Sequence, residues 1–367
     1  MRRARNTSIF LLILTFTFSA FAQTPKPTQT PTEVEDVIRV DSRLVVVPVS
    51  VTDAAGQPVL GLTARDFRVS EENKSQEIAQ VSDAEKVPLE IALLIDVSSS
   101  LNPLFKFQQE TAAKFLQEVM RGEDRASIFL IGEKPTLAQQ RDTAQKTAAT
   151  ILNLNIPRRS ATAFYDTVTT ATNYLKQNSP QKSRRVILVL SDGEDNFSNA
   201  VRAAEVRNYR DIDLNKLNEK ELNRIAARTD QAHKQAQASV LKQLQDADTV
   251  FYAVNPAGIS IKFNKISTRA QNAMENFSDQ TGGTAFLPKF QSSGLKDNLQ
   301  NSYNAKYNQE TLATIFRRLA NELQAQYLVQ YYSESSFQNG RYVKLDVGLQ
   351  NRQLLRVRAR QGYFVKN

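Results

Sequence analysis

The 367-residue chain has no Cys, no Trp and a single His. Without Cys there is no disulfide, thiolate zinc site, iron–sulfur cluster or cysteine nucleophile. One His excludes poly-histidine metal centres and leaves His233 as the sole imidazole base. Neither sign of charge is in large excess. The 47 Lys and Arg against 38 Asp and Glu give a net charge of +9, too mild a bias to argue for a nucleic-acid partner. There is no Gly-x-x-x-x-Gly-Lys-Ser loop for a nucleotide phosphate. What remains, 41% hydrophobic and 23% charged, is ordinary globular composition. The length allows about two or three domains of roughly 100 to 200 residues.

Residues 1–22 read as an export signal. Arg2, Arg3 and Arg5 precede an apolar stretch from Ile9 to Phe18, and Ala20-Phe21-Ala22 is a small-x-small cleavage site. The whole stretch is shorter than the roughly 20 residues a membrane span needs, so cleavage is expected; losing those three Arg lowers the net charge from +9 to +6. No Cys follows the cleavage site, which excludes lipidation there. The protein is therefore expected to be exported, periplasmic or extracellular, and to meet a membrane only through partners or an uncleaved signal. Residues 23–37, with Pro25, Pro27 and Pro31, read as a Pro/Thr linker.

Residues 38–86 read as β-structure. Val45, Val47, Val49 and Val51 share one face of a strand. Thr63 is placed to cap a short turn of helix over Ala64 to Phe67, and strands are expected at Phe67–Val69 and Gln76–Val81 around a Glu72-Asn73-Lys74 turn. From Pro88 the pattern alternates. Leu89–Ile95, Ala126–Ile131, Arg185–Leu190, Thr249–Val254 and Thr284–Leu287 read as strands, the first and third almost continuously apolar. Helices are expected over Pro103–Met120, Leu137–Leu154, Phe164–Gln177, Thr268–Gln280 and Glu310–Gln326. Residues 196–248 are polar with a loose helical rhythm and read as a solvated helical insertion. Strands return at Tyr327–Tyr332, Tyr342–Leu349, Leu354–Ala359 and Gly362–Val365, and Arg356, Arg358 and Arg360 alternate on one of them. That alternation suits a solvated edge or an anionic surface. The expected architecture is a doubly wound, mostly parallel α/β domain (87–325) inserted into a small β-sandwich made from the N-terminal (38–86) and C-terminal (326–367) strands.

The chemistry-bearing residues cluster at strand ends. Asp96-Val97-Ser98-Ser99-Ser100 follows the first buried strand, where open α/β sheets bind ligands. Leu190-Ser191-Asp192-Gly193 brings a second carboxylate at the end of another, and Ser160-Ala161-Thr162-Ala163 brings a hydroxyl before a helix. Carboxylates and hydroxyls without nitrogen or sulfur describe a Mg²⁺-type site. Ser99, Asp166 and Asp195 are nearby polar residues expected to act as caps.

Asp-x-Ser-x-Ser, then Thr162, then Ser191-Asp192-Gly193 resembles the metal-ion-dependent adhesion site of von Willebrand factor type A (VWA) domains. The flanks Val45–Asp53, Gly61–Phe67, Tyr327–Tyr332 and Arg356–Tyr363 are similar to the exported VWFA-related family abundant in acidobacteria. That resemblance implies metal ligation by Ser98 and Ser100 directly, by Asp96 and Asp192 mostly through water, and by Thr162 when a ligand is present. It implies Mg²⁺, with Mn²⁺ or Ca²⁺ as substitutes, and a protein partner supplying an Asp or Glu to the open coordination position. Ser160-Ala161 departs from the Gly often found before the Thr. The expected function is a non-enzymatic binding module. The alternatives are a structural scaffold without a working metal site, or a hydrolase using Ser98, for which the only imidazole is His233, expected at the surface. An aspartyl phosphatase would want a second Asp where Ser98 stands.

Overall fold

The valine alternation does what its period requires. Strand β1 (Arg43–Thr52) buries Val45, Val47, Val49 and Val51 on one face. The computed structural model describes residues 43–97, 105–154, 161–211, 218–256, 265–291, 296–350 and 354–366. The expected export signal and linker therefore lie outside the described residues, as do Ser98, Ser99, Ser100 and Ser160.

Both ends of the described chain build the sandwich. β1 runs antiparallel to β11 (Gln326–Ser333), with Val47 opposite Val329, and to β13 (Arg356–Ala359). β4 (Ile78–Asp83) adds to β11, giving the order β13-β1-β11-β4. The second sheet has the order β14-β12-β2-β3, from β2 (Phe67–Glu71), β3 (Lys74–Gln76), β12 (Tyr342–Leu349) and β14 (Gly362–Phe364). Tyr327, Val329 and Tyr331 join the four valines against Phe67, Val69, Val343, Leu345 and Tyr363 of the facing sheet. In that core Glu71 is buried and accepts hydrogen bonds from Tyr331 Oη (3.1 Å), Ser333 Oγ (2.8 Å) and Tyr363 Oη (2.5 Å).

One expected strand proves to be two. Glu72 and Asn73 take positive φ of 48° and 65°, the backbone of a tight hairpin turn, so Lys74–Gln76 stays with β2. After the break at Glu77 the chain crosses to the other sheet, and Ile78–Asp83 pairs with β11 instead.

Between β4 and β11 lies a six-stranded sheet of order β10-β9-β8-β5-β6-β7. β5 (Leu89–Asp96) is central and buried throughout, because Leu89, Ile91, Leu93 and Ile95 face one helical layer while Ala92 and Leu94 face the other. β6 (Arg125–Ile131), β8 (Arg184–Leu190), β9 (Thr249–Val254) and β10 (Ala285–Phe286) complete its parallel part. One layer holds α1 (Phe105–Val119), α2 (Ala144–Leu152) and α7 (Asn298–Gln324). The other holds α3 (Phe164–Asn178), α5 (Glu219–Asp246) and α6 (Lys265–Thr281). A further helix, α4 (Asn199–Asp211), packs beside α5 and buries Val201.

Four sequence expectations need correction here. The helix expected over Leu137–Leu154 is half strand: β7 (Thr136–Asp142) pairs antiparallel with β6 as a polar sheet edge, and α2 starts only after Thr143. Its side chains look helical because an edge strand open to water carries no apolar alternation. The polar stretch 196–248 is only partly solvated, since Ala236, Val240 and Leu244 of α5 enter the core beneath the sheet. The last helix begins at Asn298, not Glu310. The alternating arginines are solvated only in part: Arg356 is exposed on the edge strand β13, but Arg358 reaches Asp279 and the Gly283 carbonyl, and Arg360 is buried against Asp248 and the Val46 carbonyl.

Candidate functional site

Adjacent parallel strands deliver their ends together. Asp96 closes β5 opposite Ile131 of β6, and Ile95 stands opposite Leu190 of β8, so Asp96 and the Ser191-Asp192-Gly193 turn emerge side by side. Asp96 is buried, and its Oδ2 accepts a 2.5 Å hydrogen bond from Ser191 Oγ. The same Ser191 oxygen accepts from Gly193 N at 2.9 Å, so one hydroxyl ties the two strand ends. Gly193 has φ of +77°, a conformation that favours glycine, and a Cβ there would press on the end of the Met274 side chain at 2.9 Å.

Asp192 Oδ1 accepts from Glu194 N at 3.0 Å. Burial, together with the negative charge of Asp96, outweighs that bond and pushes the Asp192 carboxyl up to about 6. A buried carboxylate beside the charge of Asp96 is a setting a divalent cation would relieve.

Thr162 arrives from a third segment. Ala163 N donates to Gly132 O (2.7 Å), which anchors the loop at the end of β6. The backbone of Thr162 is braced by the segment after β8: its N donates to Asn196 Oδ1 (2.8 Å), and its carbonyl accepts from Asn196 N and Phe197 N. These contacts with described residues use only main-chain atoms of Thr162.

Asp166 and Asp195 are caps, as expected. Asp195 accepts from Tyr165 N (2.9 Å), Ser198 N (3.1 Å) and Ser198 Oγ, and desolvation raises its carboxyl to about 6 in spite of them. Asp166 accepts from Asn199 N and Nδ2, while Asp166 N donates to Ser198 Oγ. The N-termini of α3 and α4 are thus cross-braced behind Thr162.

The structure therefore brings Asp96, Thr162 and Asp192 to one carboxyl edge, while Ser98 and Ser100 lie outside the described residues. Sequence reasoning gave no role to Ser191 or Asn196. Ser191 carried a signal, standing directly before Asp192 at a strand end; Asn196 carried none. Among the described residues no group of three or more His, Cys, Asp or Glu could hold a metal, so what this edge offers is carboxylates combined with hydroxyls.

His233 departs from expectation. It is buried, its ring meets Tyr165 edge-on, and its Nδ1 lies 3.3 Å from Tyr165 Oη. Desolvation, aided by Arg269, lowers it to about 4, so it is neutral near pH 7. Tyr165 is in turn raised to about 12 by burial, and also accepts from Gln237 Nε2.

Residues 91–194, from the central strand to the Asp192 turn, match the von Willebrand factor type A domain. The six-stranded sheet with its helices is a VWA fold. No curated protein matched the sequence. Solved structures similar to the chain include proximal thread matrix protein 1 from the mussel byssus, at 10% identity over 65% of this chain and 48% of that one, with a TM-score of 0.38. The chain thus spans about half the length of the mussel protein, which has also been solved with a zinc-occupied MIDAS motif. An aerotolerance-related membrane protein from Bacteroides fragilis is 16% identical over 60% of this chain and 98% of its own, with a TM-score of 0.33. The PilB minor pilin from Streptococcus sanguinis is 12% identical over 65% and 62%, with a TM-score of 0.42. No helix among the described residues is long and apolar enough to cross a membrane.

Proposed function

We propose that the protein is an exported, non-enzymatic binding module whose VWA domain takes an Asp or Glu of a protein partner through Mg²⁺ held by Asp96, Ser98, Ser100, Thr162 and Asp192. The observation that carries this reading is the meeting of Asp96, Asp192 and Thr162, from three separate segments, at the carboxyl edge of the parallel sheet. The donor chemistry fits the ion: hard oxygens only, among them the Asp192 carboxylate, raised by burial and then by the charge of Asp96. Bound there, the cation would supply a positive centre for an external carboxylate. The chain's own residues do the positioning. Ser191 orients Asp96, Gly193 permits the turn at Asp192, and Asn196 braces the Thr162 loop. Engagement of His233 with Tyr165 favours binding over hydrolysis at Ser98, since that imidazole is already committed. Export is supported by Arg2, Arg3, Arg5 and the apolar stretch ending at Ala20-Phe21-Ala22.

The test is thermal unfolding in chelator against millimolar Mg²⁺ or Mn²⁺, for wild type, Asp96→Ala and Thr162→Ala. Cation at about 100 times its dissociation constant should stabilise wild type by roughly 2.7 kcal/mol, and the Asp96→Ala protein should show no such gain. Equal gains in both proteins, or none in wild type, would refute metal ligation at this edge.

A further inference from the structure

At the opposite edge of the parallel sheet, where β5, β8 and β9 begin, the outer face of the first sandwich sheet approaches and leaves a half-open cavity of about 560 Å³. That size falls within the range of small-molecule sites. Its walls include Leu44, Val46 and Pro48 of β1, Leu328 of β11, Val186 and Val250. Leu44 and Val46 are the outward side chains of a strand that is aliphatic on both faces, and they stay 47% and 36% exposed.

Charge in this cavity is one-sided. Arg43, Lys182, Arg184, Arg185, Arg360 and Lys366 line it, and Asp248 is the one acidic residue among the lining. Asp248 is occupied by Arg360 Nη1 at 2.6 Å and Lys366 Nζ at 3.7 Å. Arg360 itself is 8% exposed. Arg184, Arg185, Arg360 and Lys366 are committed to carbonyls or to Asp248, whereas Arg43 and Lys182 make no ion pair among the described residues. An anion would balance those two cations, and the apolar wall beside them calls for a ligand with an apolar body.

We propose that this cavity is a binding site for an amphiphilic anion, a short alkyl or aryl body against Leu44, Val46 and Leu328 with a carboxylate or phosphate head beside Arg43 and Lys182. The site is separate from the Asp96 edge and does not depend on metal there.

Isothermal titration of the full chain with octyl phosphate and octanoate tests it, with inorganic phosphate as the head alone and 1-octanol as the body alone. The expected result is saturable binding of one octyl phosphate per chain, at least tenfold tighter than either half-probe and unchanged by chelator or Asp96→Ala. The Arg43→Gln/Lys182→Gln double variant removes two cations that make no ion pair among the described residues, and it should weaken octyl phosphate at least tenfold with little change in Tm. Val46→Glu, at a half-exposed position, should abolish binding by placing a carboxylate in the cavity. Absence of saturable binding, equal affinity for inorganic phosphate, or full affinity in folded Arg43→Gln/Lys182→Gln and Val46→Glu proteins would overturn the proposal.

Discussion

Replacing Arg141 by Met should destabilise the VWA domain more than its place on an edge strand suggests. Glu90, on the central strand β5, is 1% exposed and takes Arg141 Nε at 2.7 Å and Nη2 at 2.5 Å, a two-pronged ion pair. Arg141 stands on β7, so its guanidinium reaches past β6 to meet Glu90. Arg125 and Arg185 stand beside Glu90 in register, but they donate to the carbonyls of Gly122 and Asp124, and of Ala247 and Pro180. Breaking a buried pair from one side typically costs 3–5 kcal/mol. The two neighbouring cations soften the loss, which puts Arg141→Met at the lower end, about 3 kcal/mol. At roughly 2 °C per kcal/mol for a chain this long, Tm falls by about 6 °C. Glu90→Gln should cost less, about 1 kcal/mol, because the partly exposed Arg141 turns to water. Arg141→Met/Glu90→Leu should recover to within about 1 kcal/mol of wild type, since two apolar groups replace two charges. Urea unfolding of these proteins, with the single Glu90→Leu variant added to close the double-mutant cycle, measures the coupling. A single Arg141→Met loss below 1 kcal/mol, or a double variant as unstable as the summed singles, would refute the reasoning.

Further outcomes follow from other buried polar groups. His233, held near 4 in the fold against about 6.5 unfolded, refuses a proton that the unfolded chain accepts, so stability is full above pH 6.5 and falls as pH drops toward 4. After allowance for solvent screening the loss is about 1–2 kcal/mol, and His233→Gln should flatten that part of the stability–pH curve. Gly193→Ala forces a positive φ and a clash with Met274, so it should cost about 1–3 kcal/mol and reduce the Mg²⁺-dependent rise in Tm. Glu71→Ala removes the shared acceptor of Tyr331, Ser333 and Tyr363 and should destabilise the sandwich by about 3 kcal/mol, measurable by urea unfolding.

The apolar run Leu89–Ile95, broken only by Glu90, and the run Val186–Leu190 were legible in sequence because a strand covered on both faces has few polar positions to confuse the reading. Their ends located Asp96 and Asp192, and the valine alternation located the sandwich core, since period two reports burial on one face whatever lies opposite. Burial by a distant partner has no such local trace. Thr136–Asp142 became a strand only because β6 offered it an open edge, and Arg141 is explained only by Glu90, 51 positions away. Ser191 gained its role from Asp96, 95 positions away, and His233 its burial from Tyr165, 68 positions away. Arg360 lost its place on a free edge to Asp248. Periodicity and strand-end chemistry along the chain thus determined the α/β domain, the sandwich it interrupts and the candidate ligands. The pairing of polar groups was decided by tertiary structure alone, because a buried charge or hydroxyl is satisfied by whatever the fold sets beside it, at any separation in sequence.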